Sequence, residues 1–208
     1  MAKILFFGDS LTAYRENVVT ASELFAEHYP QHVIVNKGVG GNDTRMARER
    51  FTRDVLAEKP DYLIFCFGTN DAAIDIWKQK TTPRIDLEEY LTNLRYFVHE
   101  ARAAGAKVIY WLSTPMVMTE TLKTYYGGEP YTSKGFNFML DEYLAAAVKL
   151  MTEEQVVTVS INRLFKTMTG NEEAGLLELF PDGMHPNSAG QKIIFGELLR
   201  AFESIAGE

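Results

Sequence analysis

A chain of 208 residues with 46% hydrophobic and 12% aromatic content has the apolar mass for one domain, residues 1–208, and is no disordered or low-complexity polymer. Its formal net charge of −7 argues against nucleic acid or an anionic membrane surface as a partner, since both require clustered Lys and Arg. A single cysteine, Cys66, excludes an internal disulfide, and the apolar run from Ile4 to Phe7 is too short for a signal peptide or a membrane span, so a cytoplasmic protein is expected.

Short apolar, β-branched or aromatic runs alternate with stretches of helical period, which is the pattern of βαβ units and a parallel sheet. Strands are predicted at 3–7, 33–36, 62–67, 107–112 and 156–159, with Cys66 a small core residue of the third. Leu87, Leu91, Leu94 and Val98 recur at i, i+4, i+7 and i+11, which predicts a helix stopped by Gly105. A second helix carries Met139, Tyr143, Ala147 and Met151 on one face, and a last one, from Ser188, buries Ile194, Leu198, Phe202 and Ile205. Because the strand runs are apolar on both faces, helices must cover both sides of the sheet. The expected fold is therefore an α/β three-layer sandwich with a five-stranded parallel sheet. A flavodoxin-like order, 2-1-3-4-5, puts a switch point beside strand 1.

Polar, glycine-containing segments follow the first three strands: Gly8-Asp9-Ser10-Leu11-Thr12, Asn36-Lys37-Gly38-Val39-Gly40-Gly41-Asn42-Asp43-Thr44 and Gly68-Thr69-Asn70-Asp71. A fourth, Asp182-Gly183-Met184-His185-Pro186-Asn187, precedes the last helix. Each alone reads as an ordinary turn. In a parallel sheet, however, the first three share the rim where ligands bind. A serine there needs a base for its proton and donors for an oxyanion. His185, with Asp182 three residues before it, is the one histidine with a neighbouring carboxylate in these segments; His28 and His32 flank Pro30 in a surface connection, and His99 lies on a polar helix face.

In these four segments the chain resembles the GDSL or SGNH hydrolases, whose blocks bear a serine, a glycine, an asparagine and a histidine. The resemblance runs from Ser10 to His185, nearly the whole chain. It implies a serine esterase or acylhydrolase that takes a small-molecule ester and uses neither metal nor other cofactor. Ser10 would be the nucleophile, His185 its base and Asp182 the group that orients the base. The backbone N–H groups of Ser10 and Gly41 and the side-chain amide of Asn70 would hold the oxyanion. Many members of the family run from the block-two glycine straight into Asp-Thr, whereas here Asn42 intervenes. Counting from Asn36 selects Gly41, with Gly40 the alternative, and a glycine is expected there because a side chain would crowd the substrate. The Gly-x-Ser-x-Gly elbow of α/β-hydrolases is absent, since Thr12 stands where its second glycine would be.

Asp9 and Asp71 are expected to shape their turns. Two longer connections without evident period, 72–86 and 114–133, are candidate pocket walls, with Trp77, Tyr125 and Tyr126 as candidate substrate-binding residues. Two other readings stay open: a metal-dependent phosphoesterase using Asp9, Asn70, Asp71, Asp182 and His185, and a small-molecule-binding module that cradles a phosphate at the Gly8 to Thr12 loop. Against the first, the constellation holds one histidine; against the second, Asp9 points a carboxylate into the loop. The acyl chain, the alcohol, the choice between hydrolysis and acyl transfer, and homo-oligomer formation are left open.

Overall fold

Along β1 (Lys3–Gly8) the side chains alternate between two cores: Leu5 and Phe7 enter one, Ile4 and Phe6 the other. That alternation is the period of two of a strand, and it requires a helical layer on each face. The computed structural model describes residues 1–170 and 172–207. In chain order β1 is followed by α1 (Ala21–His28), β2 (Val33–Gly38), α2 (Thr44–Asp54), β3 (Tyr62–Cys66), α3 (Leu87–Ala103), β4 (Lys107–Trp111), α4 (Glu120–Tyr126), α5 (Tyr131–Lys134), α6 (Phe138–Glu153), β5 (Val157–Val159), α7 (Ile161–Met168), α8 (Glu173–Leu179) and α9 (Ser188–Ala206). Among the described residues the sheet has five strands, all parallel, in the expected order β2-β1-β3-β4-β5.

One core joins Leu5, Phe7, Leu63, Phe65 and Tyr110 to α2, α3 and α6; the other joins Ile4, Phe6, Ile64, Ile109 and Trp111 to α1, α7 and α9. Phe7 meets Phe51, Phe67 and Phe97 edge to face at 5.3–5.6 Å between ring centroids. Each such buried ring contributes roughly 1.5–3 kcal/mol, so the strand that leads into Ser10 ends on a rigid base. Register then aligns the strand ends: Gly8 pairs with Gly38 on one side and Cys66 on the other, which brings the loops after β1, β2 and β3 to one edge. Cys66 is fully buried, and burial pushes its thiol well up.

The predicted helices are present as α3, α6 and α9, whose buried faces include Leu94 and Val98, Tyr143, Ala147 and Met151, and Ile194, Leu198 and Phe202. The connection 114–133 differs from expectation, because it contains α4 and most of α5. These run for seven and four residues, too few turns for a period to show in the sequence. Thr119 starts α4 by accepting the Leu122 N–H at 3.2 Å. The connection 72–86 is held by one short 3₁₀ turn, Ile76–Lys78.

Candidate active site

The serine turn is organised by a carboxylate that faces inward. Asp9 is fully buried; its Oδ1 accepts the Leu11 N–H at 2.9 Å, while its carbonyl accepts the N–H groups of Thr12 and Ala13 at 3.2 and 3.0 Å. Burial pushes the Asp9 carboxyl up to about 6, opposed by the Leu11 N–H, the nearby His185 and the Asn70 amide. From α9, Gln191 ties the same turn down by donating to the Leu11 carbonyl at 3.0 Å.

The loop after β2 is fastened to this turn by Asn36, whose amide donates to the Thr12 carbonyl at 2.7 Å and accepts the Gly38 N–H at 2.8 Å. Arg50 of α2 reaches across to donate to the Gly8 carbonyl at 2.9 Å and to Asn42 Oδ1 at 2.7 Å. Val39 to Asn42 then forms a turn closed by the Asn42 N–H on the Val39 carbonyl at 3.2 Å. Gly41 is its third residue at φ +75°, the position where a type II turn needs a left-handed residue. A Cβ on Gly41 would meet no protein atom within 4 Å, so within the protein it is the backbone conformation that calls for glycine. At Gly40 a Cβ would sit 3.9 Å from the Ser10 Cβ, an ordinary contact. No backbone acceptor takes the N–H of Ser10 or of Gly41 among the described residues.

After β3, the Asn70 amide donates to the Asn42 carbonyl at 3.1 Å and to Asp9 Oδ2 at 3.3 Å. Its neighbour Asp71 points into the protein, accepting the Thr44 N–H at 2.9 Å and the Thr44 hydroxyl at 2.5 Å at the start of α2. Burial raises the Asp71 carboxyl to about 7.

The last segment brings the histidine. Asp182 Oδ1 accepts the N–H groups of Met184 and His185 at 2.9 and 2.7 Å, and its Oδ2 lies 2.7 Å from His185 Nδ1. The opposite ring nitrogen, Nε2, lies 2.8 Å from Ser10 Oγ. Burial would raise the Asp182 carboxyl, but the hydrogen bonds from the His185 ring and the two backbone N–H groups outweigh it and hold the group well below the usual range. With Asp182 ionised, Nδ1 carries the ring proton and Nε2 is left as an acceptor for the serine hydroxyl. Gly183, at φ +82°, lets this turn lie against the segment that follows β4: a Cβ there would stand 2.2 Å from the Val117 carbonyl oxygen.

Ser10, Leu11, Gly41, Thr69, Asn70, Met184 and His185 line a cleft of about 240 Å³. Thr69, Asn70 and Met184 also wall a smaller hollow of about 60 Å³, otherwise made mainly by Met116, Tyr126, Tyr131, Phe136, Met139 and Leu140. On the Gly41 side an open groove of about 510 Å³ carries Asp43, Asp75, Lys78, Lys80, Thr82 and Arg84. Of the three predicted substrate-binding aromatics, Tyr126 alone lines one of these spaces. Trp77 and Tyr125 are 49% and 46% exposed and pack edge to face on each other at 5.7 Å. Sequence reasoning gave no role to Asn42, Thr69 and Met184, although each lies within one of the four polar segments, and it missed Arg84, which lies in a connection read only for its aromatic residues. Among the described residues no three His, Cys, Asp or Glu side chains are grouped to hold a metal ion, and no helix is long and apolar enough to cross a membrane.

A parallel α/β sheet that presents serine, histidine and aspartate in hydrogen-bonded series at its carboxyl edge has the form of a serine hydrolase. The sequence model of the GDSL-like lipase/acylhydrolase family matches residues 6–193, and the chain belongs to that family of carboxylic ester hydrolases. It is 29% identical over 225 aligned residues to an acetylxylan esterase of Geobacillus stearothermophilus, covering 95% of this chain and 92% of the relative. A stretch of 84 residues is 44% identical to the uncharacterized lipoprotein YqeF of Bacillus subtilis; it spans 40% of this chain and only 33% of that protein. A crystal structure of an acetylxylan esterase from Geobacillus stearothermophilus superimposes with a TM-score of 0.72 at 25% identity, covering 96% of this chain and 93% of that one.

Proposed function

We propose that Ser10, His185 and Asp182 form a catalytic triad that hydrolyses short-acyl esters, acetyl esters foremost, of a polyhydroxylated alcohol such as a carbohydrate. The observation that carries the reading is the continuous series Ser10 Oγ, His185 and Asp182, at 2.8 and 2.7 Å, opening on a cleft. Ser10 Oγ attacks the ester carbonyl as its proton passes to Nε2. The imidazolium that forms is stabilised by Asp182, and the oxyanion by the N–H groups of Ser10 and Gly41 and by the Asn70 amide. As the tetrahedral adduct collapses, Nε2 returns the proton to the departing alkoxide, leaving an acyl group on Ser10. Water then attacks with His185 again as base, releasing the acid and restoring the serine.

The spaces around Ser10 support the substrate class. The hollow of about 60 Å³ exceeds the roughly 10–15 Å³ that a single water needs but is small, and its walls are mainly methionine, leucine and aromatic rings suited to a short acyl group. The open groove offers carboxylates, ammonium groups and a hydroxyl, which suit the many hydroxyls of a sugar. The acetylxylan esterase relative acts, by its name, on acetyl groups of a polysaccharide, in keeping with both halves.

The test is turnover of p-nitrophenyl esters of increasing chain length and of an acetylated oligosaccharide, with products read by mass, for the wild type and S10A. Wild-type activity falling beyond the shortest chains, release of acetate from the oligosaccharide and loss of both in S10A are expected. Undiminished turnover by S10A would sink the serine mechanism, and a preference for long chains would sink the short-acyl assignment.

A further inference from the structure

The Asn70 amide is held by a cation that no motif announces. Arg84 forks onto Asp75: Nε lies 3.1 Å from each carboxylate oxygen, and one terminal nitrogen donates to Oδ1 at 2.8 Å. The other terminal nitrogen is thereby aimed at Asn70 Oδ1, to which it donates at 3.0 Å. We propose that Arg84, clamped by Asp75, is a positioning residue for the oxyanion site, fixing which way round the Asn70 amide sits at the wall of the Ser10 cleft and polarising its N–H groups as donors. The inference rests on the reading of Asn70 as an oxyanion donor.

Three contacts agree on one orientation of the amide. Its nitrogen faces two acceptors, the Asn42 carbonyl and Asp9 Oδ2, and its oxygen faces a guanidinium. Turning the amide over would set oxygen against both acceptors and N–H groups against the cation, so a flip that costs little for a free asparagine is opposed at every partner. A positive charge on the carbonyl oxygen also draws electron density from the nitrogen, which strengthens the N–H groups as donors. The Asp9 contact, at 3.3 Å, is the longer of the two, so its hydrogen is the one most readily shared with an oxyanion. Arginine suits the task because its planar fork engages Asp75 and still extends a third donor in a fixed direction; a lysine ammonium has no such plane. The clamp is well sheltered, with the Asp75 side chain 10% exposed and that of Arg84 29% exposed.

Arg84 also borders the hollow and the groove, so a direct contact with substrate is the rival role. The two separate in a double-mutant cycle on p-nitrophenyl acetate, with kcat, KM and the unfolding midpoint measured for R84Q, N70A, R84Q/N70A, D75N and D75N/N70A. N70A alone should lose about 10²- to 10³-fold in kcat. R84Q should lose roughly tenfold or more in kcat, the scale of a hydrogen bond to a charged group, with KM changed less than about twofold. In the N70A background neither R84Q nor D75N should lower kcat further. A full R84Q loss persisting without Asn70, a raised KM at unchanged kcat, or unchanged kinetics in R84Q would each overturn the proposal. Should R84Q fail to fold, D75N, which frees the fork while keeping its shape, decides by the same outcomes. An undiminished N70A would instead overturn the reading of Asn70, a result distinct from the others.

Discussion

Replacing Asp182 by asparagine keeps the shape of the side chain and inverts half of its chemistry. Oδ1 now accepts two backbone N–H groups, from Met184 at 2.9 Å and His185 at 2.7 Å, so in D182N the amide oxygen must remain there. The amide NH₂ then takes the place of Oδ2, 2.7 Å from His185 Nδ1, donor against donor. Relief comes from moving the ring proton to Nε2, where it faces Ser10 Oγ and leaves the serine without a base. A buried orienting aspartate in a serine protease is worth about 10⁴-fold in kcat by this route. The Asp182 side chain is 58% exposed, so water compensates in part, and a loss of about 10²- to 10³-fold is expected. D182A removes the partner without imposing the wrong tautomer, and is expected to be about tenfold more active than D182N. Steady-state kinetics on p-nitrophenyl acetate check both. A D182N enzyme within about tenfold of wild type, or one more active than D182A, would refute the tautomer argument.

Two further outcomes follow from the turns around the site. G41A forces alanine to φ +75° and should destabilise the protein by about 1 kcal/mol and lower kcat as the turn shifts, whereas G40A should be milder; urea unfolding of both variants decides, and equal losses would count against the turn assignment. Asp71, raised from 3.8 to about 7 by burial, favours its neutral form in the fold by roughly 4 kcal/mol at about 1.36 kcal/mol per pH unit. Its contribution to stability is fully present below its unfolded value and is lost as pH rises through about 7, so D71N should flatten the fall in stability between about pH 4 and pH 8. Parallel wild-type and D71N curves would show that Asp71 is not the group responsible.

Strand runs such as Ile4 to Phe7 and Leu63 to Cys66 were readable because an apolar stretch covered on both faces needs no partner to be recognised, and α3, α6 and α9 because each shows several turns of one period. α4 and α5 were not, since each is too short to repeat. Within the site, Asp182 and His185 meet through three residues of chain, a local geometry that spacing can suggest. Arg84 meets Asn70 across 14 residues with no pattern to signal it, and Met184, though it lies in the histidine segment, comes to line the cleft beside Asn70 only through the fold.

By itself the sequence determined the α/β class, the residues that gather at the sheet edge and the pairing of His185 with a carboxylate, because periodicity and short spacings are properties of the chain. The strand order, expected only by analogy, was decided by the tertiary structure. So were the reason for glycine at 41, the fork of Arg84 on Asp75, the size of the hollow and the outward placement of Trp77 and Tyr125. Each of these depends on how loops distant in sequence are pulled together once Leu5, Phe7, Ile4 and Phe6 have been buried, and a loop's conformation is set by what it packs against.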